Sequence, residues 1–135
     1  MTTELEIKTK ITVTDKDIDD LLCCALEGGI NYWADDVQVI GEYRGNNEYE
    51  HFLNNGELAI HLTEGPIEEG GPDWYGLDKK KFLHGLQQYL EDPEKPYDIL
   101  DTSQECPAQI DTSKADAVVC DMITQYALFN EIVMA

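Results

Sequence analysis

Apolar residues recur along this chain in two rhythms, and the switches between them mark out its elements. From 4 to 13, ELEIKTKITV alternates, with Leu5, Ile7, Ile11 and Val13 to one side and Glu6, Lys8, Lys10 and Thr12 to the other. That period predicts a half-buried strand. Thr14 then stands as an N-cap with Asp17 three residues on, and Ile18, Leu21, Leu22, Ala25 and Leu26 fall on one face of a helix over 15–27. Lys16, Asp19, Asp20 and Glu27 occupy its other face. Gly28 is expected to stop this helix in the left-handed conformation, and Asn31, Tyr32 and Trp33 to form a polar and aromatic corner. The stretch 14–33 is therefore the expected organising piece of the chain.

Further on, VQVIGEY at 37–43 reads as a second strand, 48–53 as a short helix closed by Asn54, Asn55 and Gly56, and ELAIHLT at 57–63 as a third strand. In the third, Leu58, Ile60 and Leu62 point inward and His61 outward. Residues 64–73, rich in Gly and Pro, read as a loop, and 74–77 as a short strand returning from it. Asp78 caps a helix over 78–90 with Phe82, Leu83, Leu86, Tyr89 and Leu90 on one face, ended by Pro93 and Pro96. An irregular stretch follows through Cys106 and Pro107, with a short strand near 97–100. Thr112 or Ser113 then caps a last helix over 114–129. Its Val118, Val119, Met122, Ile123, Tyr126 and Phe129 make the most sharply amphipathic pattern in the chain. Together these elements predict an α+β fold, a small mainly antiparallel sheet packed with about three amphipathic helices. With no internal repeat and no dividing linker, residues 1–135 are expected to form a single domain.

Charge narrows the choice of partners. Twenty-eight acidic residues against nine basic ones give a net charge of −19. Contact with nucleic-acid phosphates or an anionic membrane depends on Lys and Arg, so neither is expected, and a basic protein surface is favoured. The acids are spread almost evenly along the chain with no polyacidic tail, so folding has to gather any acidic face. There is no apolar run of membrane-spanning length, and MTTELEIKTK lacks the apolar core of a signal peptide, so a cytoplasmic protein is expected. Cys23, Cys24, Cys106 and Cys120 lack CxxC spacing and are expected to stay reduced.

Motifs for chemistry are absent. DKDIDD resembles the start of a calcium loop, but the sixth and twelfth positions are Asp20 and Leu26 where Gly and Glu are required. His51, His61 and His84 lie on separate elements without a second ligand at metal spacing, and no GxSxG, P-loop or HExxH pattern occurs. No enzyme, catalytic residue, metal or cofactor is therefore expected. Folding can set His61 beside an Asp, although a strand histidine is most simply a surface residue. Lys79, Lys80 and Lys81 place positive charge in the first turn of a helix, against its dipole, a break in a local rule that marks either an anion-binding patch or pairing with nearby acids. Of the aromatics, Trp74 and Tyr75 beside the loop are the ones expected to be exposed.

Three stretches, ALEGGINYW at 25–33, WYGLDKKKFLHGLQQYL at 74–90 and ADAVVCDMITQYALFNEIVMA at 115–135, together resemble a family of small acidic proteins of phages and prophages, frequent in gut Firmicutes and without an assigned activity. No catalytic residue carries over from it. The resemblance implies an accessory protein similar in kind to anti-restriction and anti-CRISPR inhibitors, which occupy the basic nucleic-acid channel of a host defence enzyme. On that expectation Asp19, Asp20, Glu27, Asp35 and Asp36 meet the basic partner, with Trp74 and Tyr75 as aromatic anchors. Two other classes stay open. One is a structural or replication-accessory module that binds another phage protein or itself. The other is a sponge for a nucleotide signal, for which Arg44 and the three lysines are the available donors.

Overall fold

The structure, a computed structural model, describes residues 11–63, 74–101 and 108–134. The expected strand residues 4–10, the loop at 64–73 and Cys106 lie outside the described residues. In chain order the elements are β1 (Ile11–Thr12), α1 (Asp15–Cys24), a π-turn (Ala25–Gly29), β2 (Ala34–Ile40), α2 (Glu48–Leu53) and β3 (Glu57–Leu62). They continue with β4 (Trp74–Leu77), α3 (Lys79–Glu91), β5 (Leu100–Asp101), β6 (Ala108–Ile110), a 3-10 turn (Thr112–Lys114) and α4 (Ala117–Phe129). The fold is α+β. Its main sheet is antiparallel in the order β2-β3-β4, and a smaller one, β1-β6-β5, pairs β1 parallel and β5 antiparallel to β6.

All four described helices begin on a side chain that accepts a backbone N–H. Thr14 and Asp17 form a reciprocal capping box on α1, Asn47 accepts from Glu50, Asp78 from Lys81 and Asp116 from Val119. The last of these moves an expected boundary. Asp111, not Thr112 or Ser113, accepts from Ser113 N–H and starts only a single 3-10 turn. The chain then extends at Ala115, and α4 starts afresh after Asp116.

The first helix also departs from expectation. It runs without interruption into the π-turn and ends on Ile30 at φ −100°, with no left-handed residue at Gly28. Gly29 supplies the reason, because a Cβ there would lie 2.9 Å from the Ala117 carbonyl oxygen and 3.2 Å from the Asp121 nitrogen. Widening the last turn brings this bare backbone against α4. On another side of α4 Gly85 of α3 meets Ile123 and Ala127, and a Cβ would sit 2.7 Å from the Ala127 nitrogen. α4 is thus held between two close backbone approaches, and β4 and α1 also pack on it.

This enclosure overturns the simple amphipathic reading of 114–129. Val118, assigned to the apolar face, is exposed, while Asp121, Thr124 and Gln125 are buried beside Val119, Cys120 and Ile123. Asp121 accepts three hydrogen bonds, from Tyr32 Oη at 2.6 Å, Trp33 Nε1 at 2.7 Å and Gln125 Nε2 at 2.9 Å. Gln125 in turn accepts from the Val133 and Met134 amides and donates to the Met134 carbonyl. A buried carboxylate is tolerable when its lone pairs meet donors. The organising element is consequently α4, onto which the 14–33 stretch docks.

The main sheet follows its alternation. Leu58, Ile60 and Leu62 of β3 are buried together with Leu77 of β4. β2 starts and stops three residues earlier than 37–43. Its first paired residue, Ala34, lies opposite Leu62, a register shift follows at Asp35, and Gly41 at φ +80° ends the strand before Tyr43.

Replacing Asp121 by Ala leaves the buried Trp33 N–H and its neighbours without an acceptor, and urea denaturation should show a loss of about 2–4 kcal/mol. Gly85→Ala forces α3 away from α4, and the same measurement should register about 1–3 kcal/mol, as for other overpacked cores.

Candidate functional site

The residues singled out for partner contact fall into two surface groups. On α1, Asp19 is half-buried and accepts a weak bond from Cys23 Sγ at 3.9 Å. Asp20 turns the other way. It takes Lys16 Nζ at 2.7 Å and Thr112 Oγ1 at 3.0 Å, and the Lys16 hydrogen bond holds its carboxyl below the usual carboxylate range. Glu27 lies in the π-turn, where the wider winding removes it from the α-helical phase of Asp20, and it accepts from Tyr49 Oη at 3.5 Å. Asp19, Asp20 and Glu27 therefore do not form one row of free acids.

What the fold gathers instead is Asp19, Glu27 and Glu48 around Cys23 and Tyr49, where α1 packs on α2. Burial first, then the charges of Asp19 and Glu27, pushes the Cys23 thiol up to about 11. Burial also leads in raising the Tyr49 phenol to about 12, with Cys23, Glu27 and Glu48 adding to it. Glu48 and Tyr49 had no signal in the helical pattern of α1, because they arrive from a separate six-residue helix. Asp35 and Asp36 stand nearby on β2. With Leu26, Ile30, Asn31 and Val37 they line a hollow of about 220 Å³ between that strand and the π-turn.

The second group lies on the outer face of the main sheet. Trp74 is 38% exposed, whereas Tyr75, expected to be exposed with it, is half-buried and packs edge-on against Phe129 at 5.2 Å. Successive strand residues point to opposite faces, so both aromatics cannot face solvent. His61 is the register partner of Trp74, and their rings lie 4.7 Å apart. His61 Nδ1 bonds Asp35 Oδ1 at 2.5 Å. The alternation of ELAIHLT already turned His61 outward. Only the pairing of β2, β3 and β4 brings Asp35 and Trp74 to either side of it.

Five of the described bases bond backbone carbonyls of the chain itself. Arg44 donates to the Asn54 and Asn55 carbonyls, Lys81 to Gly76, Lys95 to Asp92 and Lys114 to Leu100. Lys79 reaches the Leu53 carbonyl and Asp15, at 3.4 and 3.0 Å. These bonds resolve the unfavourable lysines at the start of α3, since Lys79 and Lys81 reach past the helix end to acceptors elsewhere. Ion pairs join Lys16 to Asp20, His61 to Asp35 and Lys79 to Asp15.

Two further hollows border the fold. One of about 460 Å³ between β1, α3 and β5 is apolar, lined by Ile11, Val13, Leu83, Leu86, Leu90 and Leu100 with Gln87 and Glu91 at its edge. The other, of about 490 Å³, has Glu42, Arg44, Glu57 and Asp78 in its wall, with the arginine already bonded to the chain. Among the described residues no group of three His, Cys, Asp or Glu converges on a metal position, and no helix is long and apolar enough to cross a membrane. Comparison with known protein families, curated proteins and solved structures finds no match to this chain.

The thiols provide a check on the α1–α2 packing. Alkylation of Cys23 by iodoacetamide in the folded protein should be slow at pH 7 and accelerate as pH approaches 11. Cys120, buried on α4 with its thiol pushed up by burial and by neighbouring Cys24, should react only on unfolding. Peptide mapping of the modified sites distinguishes the two.

Proposed function

We propose that this chain is a non-catalytic acidic binding protein. It acts as a stoichiometric inhibitor of a basic, nucleic-acid-binding protein by presenting carboxylates where that protein receives phosphates. The engagement of the bases by backbone carbonyls carries this reading. Five of them bond backbone carbonyls and, among the described residues, only Lys79 of these also pairs with an acid, so most acids keep their charge and the surface field of a −19 chain stays negative. Several acids are engaged as helix caps, which leaves Asp19, Glu27, Asp36 and Glu48 as the side chains best placed to meet cations.

Resemblance to small acidic phage proteins directs the proposal toward a host enzyme that targets nucleic acid, in the manner of anti-CRISPR and anti-restriction inhibitors. A nucleotide sponge finds less support, because its required donors, Arg44 and the lysines at 79 and 81, already bond carbonyls of the chain.

A defined test uses the chain as bait in lysate of a bacterial host with an active nucleic-acid-targeting defence, followed by titration of the purified captured protein. The captured protein should be basic, duplex DNA should compete with the bait for it, and affinity should fall steeply as ionic strength shortens the screening length to about 8 Å. The variant Asp19→Asn/Glu27→Gln/Asp36→Asn should fold normally and bind about tenfold or more weakly at low salt, with the difference shrinking at high salt. Equal affinity of parent and variant at all salt concentrations would refute acidic mimicry.

A further inference from the structure

We infer that the outer face of the main sheet, centred on Trp74, His61 and Asp35, receives an arginine side chain of the basic partner. This rests on the acidic-surface reading above and adds to it the chemistry of one contact. Leu58, Ile60, Leu62 and Leu77 are buried on the inner side, while an indole, the most costly side chain to leave in water, stays partly open on the outer side. The chain's other tryptophan, Trp33, is completely buried, so exposure of Trp74 is not a general property of tryptophan in this fold.

The indole is also held in place. His61 lies against it at 4.7 Å with the rings inclined by 51°, and the Asp35 carboxylate fixes the imidazole from its far side. Asp36 is paired in register with His61, and its carboxylate is steadied by Gln38 Nε2 at 2.9 Å. Further along, the Glu57 side chain lies across Gly76, where a Cβ would collide with it. An oriented ring, with carboxylates on the same sheet face beyond His61 and at Gly76, therefore exists before any partner arrives, so little side-chain freedom is left to lose on binding.

Among cations, arginine fits this arrangement. Its planar guanidinium stacks on an indole and at the same time offers paired N–H groups to a carboxylate, whereas a lysine ammonium is a strongly hydrated point charge. A nucleobase also stacks on tryptophan, but its phosphates would meet Asp35, Asp36 and Glu57, and that repulsion excludes nucleic acid as the occupant.

The experiment uses the whole chain and two probes, an arginine homopeptide and a lysine homopeptide of equal length. Binding is followed by tryptophan fluorescence and by calorimetry. Because Trp33 is buried, the emission change should report Trp74. The parent should bind the arginine peptide about fivefold more tightly than the lysine peptide, the factor expected from one cation–π contact. Trp74→Ala should bring the two affinities together while leaving that for lysine unchanged. Asp35→Asn, which keeps the indole, should narrow the preference in a variant whose folding does not depend on Trp74. Asp19→Asn/Glu27→Gln should weaken both peptides and keep the ratio. Equal binding of the two peptides by the parent, or an arginine preference that survives both Trp74→Ala and Asp35→Asn, overturns this inference and leaves the acidic-surface reading standing. Binding of neither peptide overturns both.

Discussion

The rest of the structure depends on a carboxylate that has no cation. Asp121 is buried in the central helix and satisfied by a phenol, an indole and an amide. Through them it fixes the corner that follows the π-turn, and through Gln125 it fixes the backbone at 133–134. The corner at 32–33 and the backbone at 133–134 are thereby tied to one turn of α4. Neutral donors suffice because each bond to an ionised acceptor is stronger than its neutral counterpart, and the low-dielectric surroundings strengthen it further. A donor removed here leaves a buried charge partly unmet, which makes the arrangement specific as well as stable.

Around that centre, the acids divide by task. Asp17, Asp78, Asp111 and Asp116 accept backbone N–H groups at helix or turn starts, and Asp92 accepts from the Glu94 amide and the Tyr126 hydroxyl. These groups account for part of the charge in structural terms. The bases mirror them by binding carbonyls at the ends of turns and strands. Backbone donors have thus attracted acids and backbone acceptors have attracted bases, and the few ion pairs leave the outward-facing carboxylates without internal counter-charge. A field of that sign accelerates encounter with a basic surface and repels nucleic acid.

The surface acids become more than a diffuse field only where folding concentrates them. One concentration lies where α1, the π-turn and α2 meet, around Cys23 and Tyr49. The other lies on the outer sheet face, where Asp35 and Trp74 flank His61. The first offers charge alone. The second combines charge with an oriented aromatic ring, which can discriminate between cations of equal charge.

Much of this was legible in the chain. Period-two alternation determined which side of β3 is buried, helical periodicity and side-chain caps determined α1 and α3 to within a few residues, the closing Asn54, Asn55 and Gly56 marked α2, and composition determined the excess of acid. These are local properties, set by backbone hydrogen bonding and by side-chain direction. Tertiary structure alone decided the rest. Asp121 and Gln125 fell outside the apolar face assigned to the last helix because their polarity is visible in sequence while the donors that meet them are not. The π-turn and Gly85 have meaning only against the backbone of α4, and Asp20 was removed from the acidic face by Thr112, 92 residues away. His61 had a side but no neighbours until strand register placed Asp35 and Trp74 beside it. Long-range complementarity of this kind belongs to pairs of segments, and no single segment's pattern contains it.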